Sequence, residues 1–191
     1  GWAGRCVRPW HPGTMSDDPT EPSRGPVAGT PSGAAYLVHP DDGPGPGVLL
    51  LHSWWGLTDQ VKDLVEAFAD AGYTTLAPDL CGGVVPADDA QAQQLLIESD
   101  PNTTAALVLD SVVALRAHTV VPQAPVAVVG FSMGASWGLW LATRQPTSVS
   151  AVVAYYGTQN IDFDELTSPV LGHYAESDPL VSEDDLIEMQ A

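Results

Sequence analysis

The sequence predicts an α/β fold: a mostly parallel sheet with helices on both faces. From residue 35 onward, short strand-like runs alternate with segments of helical periodicity. The runs V-L-L-L-H and V-A-V-V are apolar throughout rather than alternating, as strands buried on both faces must be. Alternating β and α of this kind builds a parallel sheet, and 191 residues suffice for one such domain with one sizeable core.

Residues 35–39 read as a short strand ending in the turn D-D-G-P-G-P-G, and residues 48–52 as the second strand. Thr58 is an N-cap type. Behind it Val61, Leu64, Val65, Phe68 and Ala69 share one helical face, and Gly72 stops the helix. Residues 73–77 form the third strand. Asp100 and Pro101 supply an N-cap and a proline at the first helical position, opening a helix to about His118. Residues 126–129 read as a buried strand, 130–134 as a sharp turn and 133–143 as a helix. Residues 149–156 and 169–174 complete the strands, and Ala191 falls within a last helical pattern carrying Leu186, Ile187 and Met189.

Composition narrows the function classes. Acidic residues outnumber basic ones 24 to 6, for a formal charge of −18, a surface that repels nucleic acid and anionic membrane. Two cysteines, Cys6 and Cys81, make no disulfide framework. No apolar run approaches the ~20 residues of a membrane span, and the N-terminus lacks the apolar core of a secretion signal. The expected location is cytoplasmic. Residues 1–34 are rich in Pro, Gly, Ser and Thr without a periodic apolar face, and are expected to be disordered. Met15 opens a plausible natural start; the fourteen residues before it look like translated upstream sequence or a cloning remnant. The folded domain is expected over 35–191.

One motif carries chemistry. In V-A-V-V-G-F-S-M-G, Ser132 stands at the apex of a strand–turn–helix, flanked by Gly130 and Gly134, which remove side chains that would clash in so tight a turn. Its hydroxyl is exposed there, and the amide of Met133 points where a tetrahedral oxyanion would develop. A glycine-rich phosphate-binding turn is the alternative, since Gly130, Gly134 and Gly138 are spaced by four. That turn belongs near the start of a domain, with an acidic ribose ligand about 20 residues on. Here the turn comes late and nothing acidic follows before Asp162, so the nucleophile reading is preferred.

Four stretches, V-L-L-L-H-S-W-W-G-L, A-G-Y-T-T-L-A-P-D-L, V-G-F-S-M-G and P-V-L-G-H-Y-A-E-S-D-P-L-V-S, together resemble the dienelactone hydrolase family of α/β-hydrolases, in order and spacing, from about Tyr36 to Val181. The resemblance implies an α/β-hydrolase fold and a hydrolase of carboxylic esters or lactones, working without metal or organic cofactor on a small-molecule substrate. It places Ser132 at the nucleophile, a cysteine in the true dienelactone hydrolases and often a serine in relatives. It places Asp178 at the triad acid and the backbone amide of Trp54 beside that of Met133 as oxyanion donors. Ser53 and Trp55 fall at the substrate pocket. Ser53 stands where dienelactone hydrolases carry a glutamate that interacts with the cysteine. The family's substrate-binding arginine is absent, Leu80 being followed by Cys81, Gly82, Gly83 and Val84. Uncharged or weakly charged esters and lactones are therefore expected over carboxylate-bearing dienelactones.

The histidine of such a triad follows the acid on a later loop, and the sequence extends 13 residues beyond Asp178. His11 lies in the leader, His39 precedes a turn and His118 ends a surface helix. His173 reads as a core histidine within a strand, and His52 ends the strand that leads to the oxyanion loop. None is taken as the base. The expectation is a sequence cut short before its last strand, histidine loop and final helix. A non-catalytic α/β-hydrolase-like protein that binds a small ligand or partner is the alternative. Nothing in the sequence assigns an oligomeric state.

Overall fold

The computed structural model describes residues 33–190. Most of the segment expected to be disordered, with Met15 and His11, therefore lies outside the described residues. Six strands form one sheet: β1 (Ala35–Val38), β2 (Gly47–Leu51), β3 (Thr74–Pro78), β4 (Val126–Phe131), β5 (Val149–Tyr155) and β6 (Val170–His173). Their order is β1-β3-β2-β4-β5-β6. β1 runs antiparallel to β3, and all other neighbours are parallel. The predicted α/β class, with a mostly parallel sheet, is thus the one observed.

Helices cover both faces because the central strands bury both. In β2, Leu49 and Leu51 join one apolar cluster with Val128, Leu115 and Leu139, while Leu50 points the other way, to Val65, Ala69 and Ala77. The second cluster belongs to α1 (Asp59–Asp70); the first takes α3 (Pro101–Ala117) and α4 (Met133–Arg144). All three follow their predicted signals. Thr58 Oγ1 accepts the Val61 N–H to start α1. At its end, Gly72 at φ 97° lets the Gly72 and Tyr73 N–H groups turn back to the Ala69 and Phe68 carbonyls. Phe68 then meets Tyr73 edge-on at 6.2 Å. Asp100 caps α3 by accepting the Asn102 N–H at 3.1 Å.

Two elements depart from expectation. A further helix, α2 (Asp89–Glu98), fills the segment between β3 and α3. Among the described residues β6 pairs with β5 alone, and all four of its residues are exposed. His173, expected in the core, is correspondingly exposed and stacks flat on Tyr155 at 4.5 Å. Behind β6 the chain closes with α5 (Glu183–Gln190), whose Met189 packs on the core while Ile187 stays exposed.

Candidate active site

The turn between β4 and α4 holds Ser132 in a backbone conformation that L-residues rarely adopt, with φ 52° and ψ −119°. Its surroundings leave no space for relaxation. A Cβ on Gly134 would lie 2.1 Å from the Leu51 carbonyl oxygen, and one on Gly157 would lie 2.2 Å from that of Ser132 itself. The Ser132 N–H donates to the Tyr155 carbonyl at 2.9 Å, and the Ser132 carbonyl accepts the Ala135 and Ser136 N–H groups at 2.9 and 3.1 Å. With the backbone pinned on both sides, the side chain is turned away from the helix end and forms no capping bond to it.

That side chain lines an open cavity of about 360 Å³ with Trp54, Met133, Trp137, Tyr156 and Leu180 among its walls. Met133 begins α4, so its N–H has no intrahelical acceptor and sits at the positive end of the helix. Trp54 follows β2, and its N–H has no acceptor among the described residues. Two unspent amides therefore belong to residues that share one cavity wall with the serine.

Asp178 lies in the loop between β6 and α5. Its Oδ1 accepts the Leu180 N–H at 2.8 Å, and its other carboxylate oxygen has no partner among the described residues. Leu180 and Val181 line the Ser132 cavity, so the loop of Asp178 forms part of the rim. Ser53 and Trp55 line neither this cavity nor its neighbour. The Ser53 carbonyl accepts the Gly56 N–H at 3.2 Å, and Trp55 is exposed, packing edge-on against Trp54 at 6.0 Å.

No described imidazole hydrogen-bonds Ser132 or Asp178. His52 is fully buried and both ring nitrogens are engaged: Nδ1–H donates to the Ser53 carbonyl at 2.7 Å and Nε2 accepts the Leu80 N–H at 2.9 Å. Burial holds its pKa below the ordinary 6.5, against the opposing pull of the Ser53 carbonyl and the Asp79 carboxylate. His39 and His118 meet at 5.4 Å where β1 ends beside the start of β3, the far end of the sheet from Ser132. Among the described residues no group of three or more His, Cys, Asp or Glu could hold a metal ion.

The loop after β3 forms a second wall that the sequence reading passed over. Asp79 is buried and accepts the Cys81 N–H on Oδ1 at 3.0 Å and the Gly83 N–H on Oδ2 at 2.6 Å. Cys81 then sits beneath Trp54, its Sγ donating to the Trp54 carbonyl at 3.9 Å. Burial, and next to it the Asp79 charge, push its thiol up to about 11, so it is no nucleophile at neutral pH. Beyond it, a second cavity of about 240 Å³ opens between Cys81, Leu95 of α2 and Thr103 of α3. It shares Trp54, Leu96 and Met133 with the first. A sequence signal for α2 existed: Asp88 Oδ1 caps the Gln91 N–H at 2.9 Å while Gln91 Oε1 reaches back to the Ala87 N–H at 2.8 Å.

A mostly parallel sheet carrying a serine on a strained strand-to-helix turn, above the carboxyl ends of its strands, defines the α/β-hydrolase class. Within that class the chain belongs to the dienelactone hydrolase family, whose model matches residues 34–191. It is 29% identical over 163 residues to Protein usf of Aquifex pyrophilus, covering 81% of this chain and 70% of that one. It is 29% identical over 116 residues to a carboxymethylenebutenolidase of Rhodococcus opacus, covering 61% of this chain and 45% of the relative. The crystal structure of a dienelactone hydrolase-like promiscuous phosphotriesterase from metagenomic libraries superimposes with a TM-score of 0.71 at 25% identity, over 82% of this chain and 68% of that one. Among the described residues, no helix is long and apolar enough to cross a membrane.

Proposed function

We propose that this protein hydrolyses carboxylic esters or lactones through a serine nucleophile, Ser132, and an acyl-enzyme intermediate. The observation that carries the reading is the strained turn at φ 52° that presents Ser132 to a cavity shared with Trp54 and Met133. Ser132 Oγ attacks the carbonyl carbon as its proton passes to an imidazole base. The carbonyl oxygen, now an anion, accepts hydrogen bonds from the Trp54 and Met133 amides. Collapse of the tetrahedral species breaks the bond to the alcohol oxygen, which takes the proton and leaves. Water, activated by the same base, then releases the acid.

Asp178 orients that imidazole in this reading, supported by its place on the rim and its free carboxylate oxygen. The imidazole itself comes from outside residues 33–190. The substrate is a small ester or lactone that carries no carboxylate, since Cys81 to Val84 offer no cation to one. Two cysteines outside any disulfide framework and the acid-rich composition suit a cytoplasmic enzyme without nucleic-acid or membrane partners.

The test is a fluorophosphonate probe with mass-spectrometric mapping. Label confined to Ser132, abolished in Ser132→Ala and accelerated by added imidazole, is the expected result. Label elsewhere, or surviving Ser132→Ala, overturns the nucleophile. A chain that stays unlabelled with imidazole present is instead a non-catalytic binder.

A further inference from the structure

The two cavities meet at Trp54 and Met133, the residues whose amides would receive the oxyanion. A carbonyl carbon at Ser132 Oγ, with its oxygen toward those amides, must send its two substituents to different sides. One side is the Ser132 cavity. The other crosses Met133 into the 240 Å³ cavity under α2. The floor there is made by Ala92 and Thr104, both buried, with Leu80 beside them. The outer rim is made by the exposed Glu98, Ser99 and Asp100, where α2 gives way to α3.

Charge then decides what fits. Glu98 and Asp100 are the charged residues on the walls of the two cavities, and both are acidic. Asp100 stays ionised: hydrogen bonds from the Thr103 hydroxyl and the Asn102 amide hold its carboxyl below the usual range. Glu98 accepts from Gln94 Nε2 at 2.5 Å, which orients it without neutralising it. Trp54 adds an aromatic ring to the wall of the same cavity.

Resting on the reading of Ser132 as nucleophile, we infer that the cavity under α2 is the specificity pocket for one arm of the substrate, an apolar chain ending in a cationic group. The chain replaces water over Leu80, Ala92 and Leu95, and the cationic end reaches Glu98 and Asp100 at the rim. A carboxylate-tipped arm of equal length meets two like charges at the same place.

Binding tests this without turnover. The chain holds three methionines, Met15, Met133 and Met189, so carbon-13 methyl labelling gives three signals, with Met133 at the junction of the cavities and Met189 in α5 as control. The probes are the N-methylamides of trimethylammoniohexanoic acid and heptanoic acid, and the mono-N-methylamide of pimelic acid. The Met133 signal is expected to shift, with the cationic probe bound about tenfold more tightly than the anionic one at low salt and the gap narrowing as salt is added. The gap closes in Glu98→Gln/Asp100→Asn, where asparagine keeps the cap on α3. Ser132→Ala keeps the order of binding, so phosphonate label that falls elsewhere or survives Ser132→Ala, with the binding order preserved, sinks the nucleophile and not the pocket. An unmoved Met133 signal, or an anionic probe bound as tightly as the cationic one, overturns the pocket.

Discussion

The imidazole of His52 accepts the Leu80 N–H through Nε2 at 2.9 Å while its Nδ1–H donates to Ser53, so one buried ring joins the loop after β2 to the loop after β3. Trp54 rides on the first of these loops and Cys81 on the second. The ring must be neutral for Nε2 to accept, which fixes both the tautomer and the direction of the pH dependence.

Removing the ring leaves the Leu80 N–H unpaired, while the Ser53 carbonyl keeps its bond from the Gly56 N–H. His52→Ala is expected to lose about 3 kcal/mol, ~1–3 kcal/mol for the orphaned N–H and the rest for the space the buried ring leaves. The pH behaviour is separable. Because the folded state lowers the His52 pKa below 6.5, the unfolded chain binds the proton more readily, and stability falls as pH drops below 6.5. Urea unfolding of wild type and His52→Asn at pH 8 and pH 5 should show the wild-type advantage shrinking in acid. An advantage that grows in acid contradicts the neutral, buried ring.

Two glycines in α4 should respond oppositely to alanine. At Gly134 a Cβ would lie 2.1 Å from the Leu51 carbonyl oxygen, backbone that cannot swing aside. The expected loss is about 3 kcal/mol or more, with loss of Ser132 labelling. At Gly138 the nearest atom is Val128 Cγ1 at 3.0 Å, a side-chain methyl that can yield. The ~1 kcal/mol helix preference for alanine then keeps Gly138→Ala near wild type. Equal tolerance at both sites in chemical denaturation would refute the close-approach account.

The Cys81 thiol, pushed up to about 11, should be slow toward iodoacetamide. Against an ordinary thiol near 8.5, the thiolate fraction at pH 8 falls by roughly 200-fold. In a Cys6→Ser background the alkylation rate is expected to rise close to tenfold per pH unit between 7 and 9. A rate that levels off below pH 9 would mean the Asp79 loop does not shield the sulfur.

Ser132→Gly should gain stability as it removes the proposed nucleophile. Relief of the φ 52°, ψ −119° strain is worth ~1–3 kcal/mol, set against roughly 0.5–1 kcal/mol of extra chain entropy for glycine. The net gain of about 1 kcal/mol is checked by thermal unfolding beside Ser132→Ala, which keeps a Cβ and the strain. Equal melting temperatures would mean that the turn stores no strain.

Local sequence carried the fold where one residue type decides a local geometry. Thr58 and Asp100 announced their helices by capping, and Gly72 ended α1 by its positive φ. Gly130 and Gly134 marked the serine turn because nothing larger fits there. α2 escaped because its apolar side is thin: Ala92 is its one fully buried residue, so periodicity had little to report, and only the Asp88–Gln91 cap was available. The antiparallel pairing of β1 and the exposure of His173 depend on which strand lies at an edge, a property of the assembled sheet. The tie of His52 to Leu80 connects residues 28 apart that adopt their relation only when two loops meet.

β4 has hydrogen-bonded neighbours on both sides, and β6 has one among the described strands. Ser132 thus follows a strand held on both sides, while the loop of Asp178 follows one held on a single side among the described strands. The position of the Asp178 loop beside the Ser132 cavity therefore depends on what steadies β6, so a substitution on that strand, remote from the serine, is expected to reshape the cavity rim.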